Sequence, residues 1–198
     1  MAFIGAKPTN VPLTSADIQD GTVALADLSA TGTKDATTFL RGDNTFAEAG
    51  GGNNTPFFYG ELASHQTITR NTAVKITGMT NDEVDSNSAF DGTTFTVPSG
   101  EGGKYYISGS LIYDFELAGD DGFEVELYIY KNGSSIKNTR FRNNTTKDLR
   151  YVTLHCSGIF TLSAGNTIEL YTQSLDNSGD NARALSNQTS IGGYKLIE

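Results

Sequence analysis

Two histidines, one cysteine and a few clustered carboxylates are the side chains here with the richest chemistry. Neither His65 nor His155 stands at a recognisable spacing from a serine, cysteine or acid that would make it the base of an activated nucleophile. His155 adjoins Cys156, but neighbouring residues of a strand point to opposite faces, so the two cannot form a dyad. Cys156 shares a strand face with Val152 and Leu154 and reads as a small buried hydrophobe. Being the single cysteine, it also excludes an intrachain disulfide. Asp120-Asp121, with Asp114 and Glu116, offers oxygen ligands but not at the spacing of a calcium loop, and reads as a solvated acidic turn. Gly50-Gly51-Gly52 lacks the Lys-Ser/Thr and helix of a phosphate loop, and no His/Cys cluster has metal-ligand spacing. The expectation is a protein without catalytic activity, metal or cofactor.

Binding chemistry is easier to place. Lys137, Arg140, Arg142, Lys147 and Arg150 form a basic run within a chain of 23 acidic and 14 basic residues, net charge −9. As an exposed hairpin this run is simply solvated; as a contact surface it suits acidic polysaccharide, phosphate groups or an acidic neighbour. The candidate recognition residues are therefore Lys137, Arg140, Arg142 and Arg150, together with Asp120 and Asp121. The overall acidity argues against non-specific nucleic-acid binding, which needs clustered Lys and Arg. Arg41-Gly42-Asp43 spells the integrin tripeptide, a match short enough to arise by chance.

The elements that must position these groups are short strands. Phe95 and Val97 alternate with Thr94 and Thr96, Pro98 ends that strand, and Ser99–Gly103 is rich in turn formers. A second strand follows with Tyr105, Ile107, Leu111, Tyr113 and Phe115 on one face, and Tyr106, Ser108, Ser110, Ile112 and Asp114 on the other. A strand with one wholly apolar face needs a second sheet to cover it, so the pattern predicts a β-sandwich. Phe123, Val125, Leu127 and Ile129 alternate with Glu124, Glu126, Tyr128 and Tyr130, and Lys131-Asn132-Gly133-Ser134 predicts a hairpin turn. Val152, Leu154 and Cys156 oppose Tyr151, Thr153 and His155. No stretch has a sustained 3.6-residue period, so residues 57–198 are expected to be all-β. Tyr106, Tyr151 and His155 fall on faces opposite the core, where Tyr suits a contact with one end buried and one wet.

Residues 1–56 differ. Small residues dominate, aromatics are limited to Phe3, Phe39 and Phe46, and the segment closes on a Gly/Asn-rich run, Glu48–Pro56, that reads as a linker. Such a segment is expected to be an extended arm that orders against a partner through Phe3, Ile4, Ile18, Leu28, Phe39, Leu40 and Phe46. Lys7 and Pro8 interrupt any apolar leader, and no span approaches the ~20 apolar residues of a membrane helix, so neither secretion nor membrane insertion is expected.

Two resemblances follow from these stretches. The run Phe95-Thr96-Val97-Pro98, Gly100, Gly103, Tyr105, Ile107 resembles the signature of the complement-type globular head, a ten-stranded jelly roll of the tumour-necrosis-factor superfamily. Leu127–Gly133, Leu162–Leu170 and Ser190–Ile197 resemble its later elements in order. The resemblance implies a trimeric jelly roll over residues 57–198, with Tyr106, Tyr151 and His155 as candidate trimer contacts. Leu13-Thr14-Ser15-Ala16-Asp17-Ile18 and Thr37-Thr38-Phe39-Leu40-Arg41-Gly42-Asp43-Asn44-Thr45-Phe46 resemble N-terminal segments of tailed-bacteriophage fibre and appendage proteins. That implies a virion structural protein, made in the bacterial cytoplasm, whose arm binds other virion proteins and whose tip meets a host-surface glycan. A capsid decoration, head-fibre or cement protein, and a soluble lectin-like module, are the competing readings.

Overall fold

The computed structural model describes residues 24, 29–48, 54–80, 84–115, 123–144, 149–176 and 182–197. The chain divides into two units, Met1–Gly51 and Gly52–Glu198, a boundary a few residues ahead of the one read from the linker.

In the first unit, β1 (Thr38–Leu40) pairs antiparallel with β2 (Phe46–Glu48), Phe39 opposite Ala47. The expectation of an extended arm therefore needs correction here: this stretch is a hairpin. The reason is local. Asp35 and Asp43 each accept bonds from the backbone and hydroxyl of the threonine two residues on, Thr37 and Thr45, which closes two tight turns. Thr31 adds a bridge to Thr45, and Ala30 and Phe46 are buried.

The second unit is all-β among its described residues. Its strands are β3 (Phe57–Leu62), β4 (Gln66–Ile68), β5 (Val74–Lys75), β6 (Met79–Thr80), β7 (Thr94–Thr96), β8 (Gly103–Asp114), β9 (Phe123–Lys131), β10 (Ser134–Asn143), β11 (Tyr151–Leu162), β12 (Thr167–Asp176), β13 (Ala182–Ala184) and β14 (Ser190–Lys195). One antiparallel sheet runs β10-β9-β12, with β5 and β7 both on the far edge of β12. The other runs β11-β8-β14-β3-β6, with β13 and β4 continuing beside the end of β8. The strand–turn–strand stretch is not a hairpin: β7 joins one sheet and β8 the other, so Pro98–Gly102 crosses between layers. A proline that cannot donate to a ladder suits that crossing.

Period-two alternation holds where the sequence displays it. Tyr105, Ile107, Leu111 and Tyr113 of β8 are buried, as are Val125, Leu127 and Ile129 of β9 and Val152, Leu154 and Cys156 of β11. These faces share one core, which is what a β-sandwich requires. Two contacts tie the layers. Phe58 of β3 stacks on Phe95 of β7 with ring centroids 4.2 Å apart. The Tyr113 hydroxyl enters the opposite sheet, bonded to Thr172 Oγ1 and donating to the Gln173 carbonyl at 3.1 Å. Burial pushes that phenol's pKa up, so it stays a neutral donor. The β9–β10 link is the predicted two-residue turn, Asn132 and Gly133 both at positive φ.

Candidate interaction surfaces

The outward side of the β11-β8-β14-β3 sheet carries an aromatic row. Register places Phe57 opposite Tyr194, Tyr194 opposite Tyr106, and Tyr106 opposite Ile159, so four strands contribute one large apolar side chain each. The Tyr106 and Tyr194 rings lie 5.6 Å apart. Phe57 is 39% exposed, Tyr194 37% and Ile159 61%, while Tyr106 between them is half-buried. Phe57, Tyr106 and Tyr194, with Tyr59 and Val84, border an open, mainly apolar depression of about 310 Å³. Its floor has a cause: Gly192 of β14 lies on this face and leaves no side chain to fill it.

Of the three expected contact residues, Tyr106 sits in this row. His155 lies on the same face, opposite Ser110, and its Nε2 is 3.0 Å from Ser108 Oγ. Tyr151 lies opposite Asp114, eight residues along β8 from Tyr106 and hence roughly 27 Å away. All three share a face, as alternation implies, but only Tyr106 belongs to the apolar row.

The Ser108–His155 pair was invisible in sequence, because 47 residues separate partners that only strand pairing joins. A hydroxyl on an imidazole is the first half of a nucleophile–base arrangement. The second half, oxyanion donors, has no source on β8, whose amides face ladders on both edges. The pair is better suited to fixing side-chain orientation on the sheet. His65 likewise accepts from the Ser186 amide at 2.9 Å, closing a turn.

Three arginines of the basic run pair with carboxylates of the same chain. Arg140 of β10 reaches Glu124 at 3.0 Å and Glu126 at 3.9 Å, and Arg142 reaches Glu124 at 3.7 Å. Arg150 binds Asp114 at 2.9 Å and lies over the Tyr151 ring at 5.0 Å. Lys137 lies on β10 near Cys156, where its charge slightly favours the thiolate. Among the candidate anchoring residues, Phe39 and Leu40 are exposed, whereas Phe46 is buried inside its own unit. Asp120, Asp121, Phe3, Ile4, Ile18 and Leu28 lie outside the described residues. Arg41-Gly42-Asp43 occupies the tip of the β1–β2 hairpin, and the Asp43 carboxylate is held by Thr45.

Two sets of surface residues escaped sequence reading. Phe57, Tyr59, Tyr194 and Ile159 form the apolar row with Tyr106, and each reads alone as an ordinary strand residue. Tyr128, Tyr130 and Tyr171 gather on the outer side of the other sheet, Tyr130 stacked on Tyr171 at 4.1 Å and edge-on to Tyr128 at 5.9 Å. Alternation placed them opposite the core; only the register of β9 with β12 brings them together. The chain matches no family model and no curated protein.

Proposed function

We propose that the chain is a structural subunit of a tailed-phage virion, its residues 57–198 a jelly roll that closes into a trimer, its N-terminal unit the attachment to the particle. The strand orders β3-β14-β8-β11 and β7-β12-β9-β10 suit that fold, in which the chain passes back and forth between two four-stranded layers, here at β7–β8, β8–β9, β10–β11 and β11–β12 but not at the β9–β10 hairpin. The observation that carries the reading is the row Phe57–Tyr194–Tyr106–Ile159 on one sheet face, three of its four side chains exposed.

One such face, repeated on each copy, is buried when copies close around a threefold axis. The tip of the assembly then meets the host surface, and the sequence motifs of residues 9–47 connect the chain to phage appendages.

Light scattering on the purified full chain tests the assembly: the expected mass is three times 21.2 kDa. Tyr106→Ser with Tyr194→Ser should convert it to monomer while leaving the thermal transition cooperative. A wild-type monomer at micromolar concentration overturns the trimer. Mass spectrometry of purified particles tests the virion assignment, which absence of the chain from them would overturn.

A further inference from the structure

We propose that the outer face of the β10-β9-β12 sheet binds an uncharged, extended oligosaccharide along the strip made by Tyr128, Tyr130 and Tyr171. This names a ligand class and a place for it on the sheet opposite the apolar row, and it does not depend on the trimer.

The strip is built from two strands paired without interruption over nine residues, Ile168 opposite Lys131 through to Asp176 opposite Phe123. Tyr128 faces Tyr171 directly, and Tyr130 stacks on Tyr171 diagonally. On one side the Tyr128 hydroxyl bonds to Glu126 Oε2 and lies 3.3 Å from Gln173 Oε1. On the other, Lys75 holds Glu169 at 2.6 Å and Thr94 Oγ1 at 2.8 Å. Aromatic carbon thus lies between two polar margins, each rich in planar acceptors. A pyranose is amphipathic in the same way, its C–H flank apolar and its rim hydroxylated. Phenols, carboxylates and an amide meet both halves.

Charge decides against other occupants. Glu124, Glu126 and Glu169 are matched by Arg140, Arg142 and Lys75 at 2.6–3.9 Å, so the face has little net field to select an ion. A protein partner would have to desolvate these ion pairs, and charged groups are depleted at interface centres for that reason. A hydroxylated ligand replaces water at the same groups without stripping them. The unbroken register makes the strip long and its three tyrosines are half-buried, which suits a chain laid along the sheet rather than a single sugar in a pocket.

The test uses the full chain and two probes, cellohexaose and chitohexaose. The protein has nine tyrosines and no tryptophan, so its intrinsic fluorescence reports the rings directly. Saturable binding of at least one probe is expected at a Kd of about 1 mM or tighter. Tyr130→Thr with Tyr171→Thr should weaken it by at least about tenfold, as loss of the stacking surface implies. Gln173→Ala, a smaller change, should weaken it measurably with the fold intact by circular dichroism. Tyr194→Ser on the opposite sheet should leave sugar binding unchanged whatever it does to the oligomer, which separates this proposal from the preceding one. The absence of saturable binding by either probe overturns the proposal. So does undiminished binding in the folded double variant or, should that variant not fold, in Gln173→Ala.

Discussion

Asp114 and Arg183 face each other across the β8–β13 pairing, with Arg183 Nη2 donating to Asp114 Oδ2 at 2.9 Å. Arg150 Nε donates to the other carboxylate oxygen at the same distance, so one carboxylate, only 2% exposed, clasps the start of β11 and the short β13 to the end of β8. The bond from Arg150, more than that from Arg183, holds the Asp114 pKa below its ordinary 3.8 against the opposing effect of burial.

A carboxylate with a depressed folded-state pKa adds stability that is fully present above its unfolded value and is lost as pH falls through the folded one. Asp114→Asn should therefore lower the melting temperature at pH 7, by the equivalent of about 1–2 kcal/mol, since two charge-assisted bonds are lost but both guanidinium groups can reach water. Below pH 4 the gap between variant and wild type should narrow. Calorimetry at pH 7 and pH 3 reads both effects; equal melting temperatures at pH 7 would contradict the clasp.

Gly193 of β14 faces the core on the side of the sheet away from the aromatic row. A Cβ on Gly193 would lie 2.6 Å from the Tyr106 carbonyl oxygen, which is ladder backbone and cannot retreat. Gly193→Ala should destabilise by about 1–3 kcal/mol or more, in the range of overpacking changes. Gly42→Ala, with nothing within 4 Å of the added carbon, should be near neutral. Urea denaturation of the two variants checks the contrast, and similar midpoints would overturn it.

What the sequence made legible was whatever depends on period two. Tyr105 to Tyr113 and Phe123 to Ile129 declare their buried faces by alternation alone, and Asn132-Gly133 declares its turn by the positive φ it demands. Pairing is different in kind. Nothing local tells Tyr106 that it will lie between Tyr194 and Ile159, or Ser108 that it will meet His155, because those contacts arise from strands 47 to 88 residues apart. Arg140 likewise reads as free charge until the β9–β10 hairpin brings Glu124, 16 residues away, beside it. The hairpin at 38–48 was missed for another reason. It rests on side-chain caps from Asp35 and Asp43 rather than on apolar burial, and a composition argument counts only the latter.

Cys156 lies on the inner face of β11, 2% exposed, and burial raises its thiol pKa, with the charge of Lys137 only partly opposing. Because the thiolate is the reactive form, labelling by a disulfide reagent at pH 8 should be slow and limited by opening of the sandwich. In concentrated denaturant the same thiol should react at the rate of a free cysteine. Native-state labelling at that free rate would place Cys156 on an accessible surface and contradict the assigned face of β11.

The N-terminal unit offers a separate test of how the chain is organised. Gly32 adopts φ +95°, and a Cβ there would collide with the Phe46 carbonyl, a backbone atom held by the Thr31–Asn44 and Phe46–Thr31 bonds at 3.2 and 2.7 Å. Gly32→Ala is strained both by its φ and by that contact, so the hairpin should open locally. Residues 29–48 should then be cut faster by protease, while the melting temperature of the sandwich stays as in wild type, since Gly32 and Phe46 both lie in the first of the two units. If the N-terminal unit is the attachment to the particle, incorporation should fall in this variant while the trimer mass is unchanged. A parallel fall in the sandwich's melting temperature would show that the units are energetically coupled. Unchanged incorporation with the hairpin demonstrably open would remove it from the attachment.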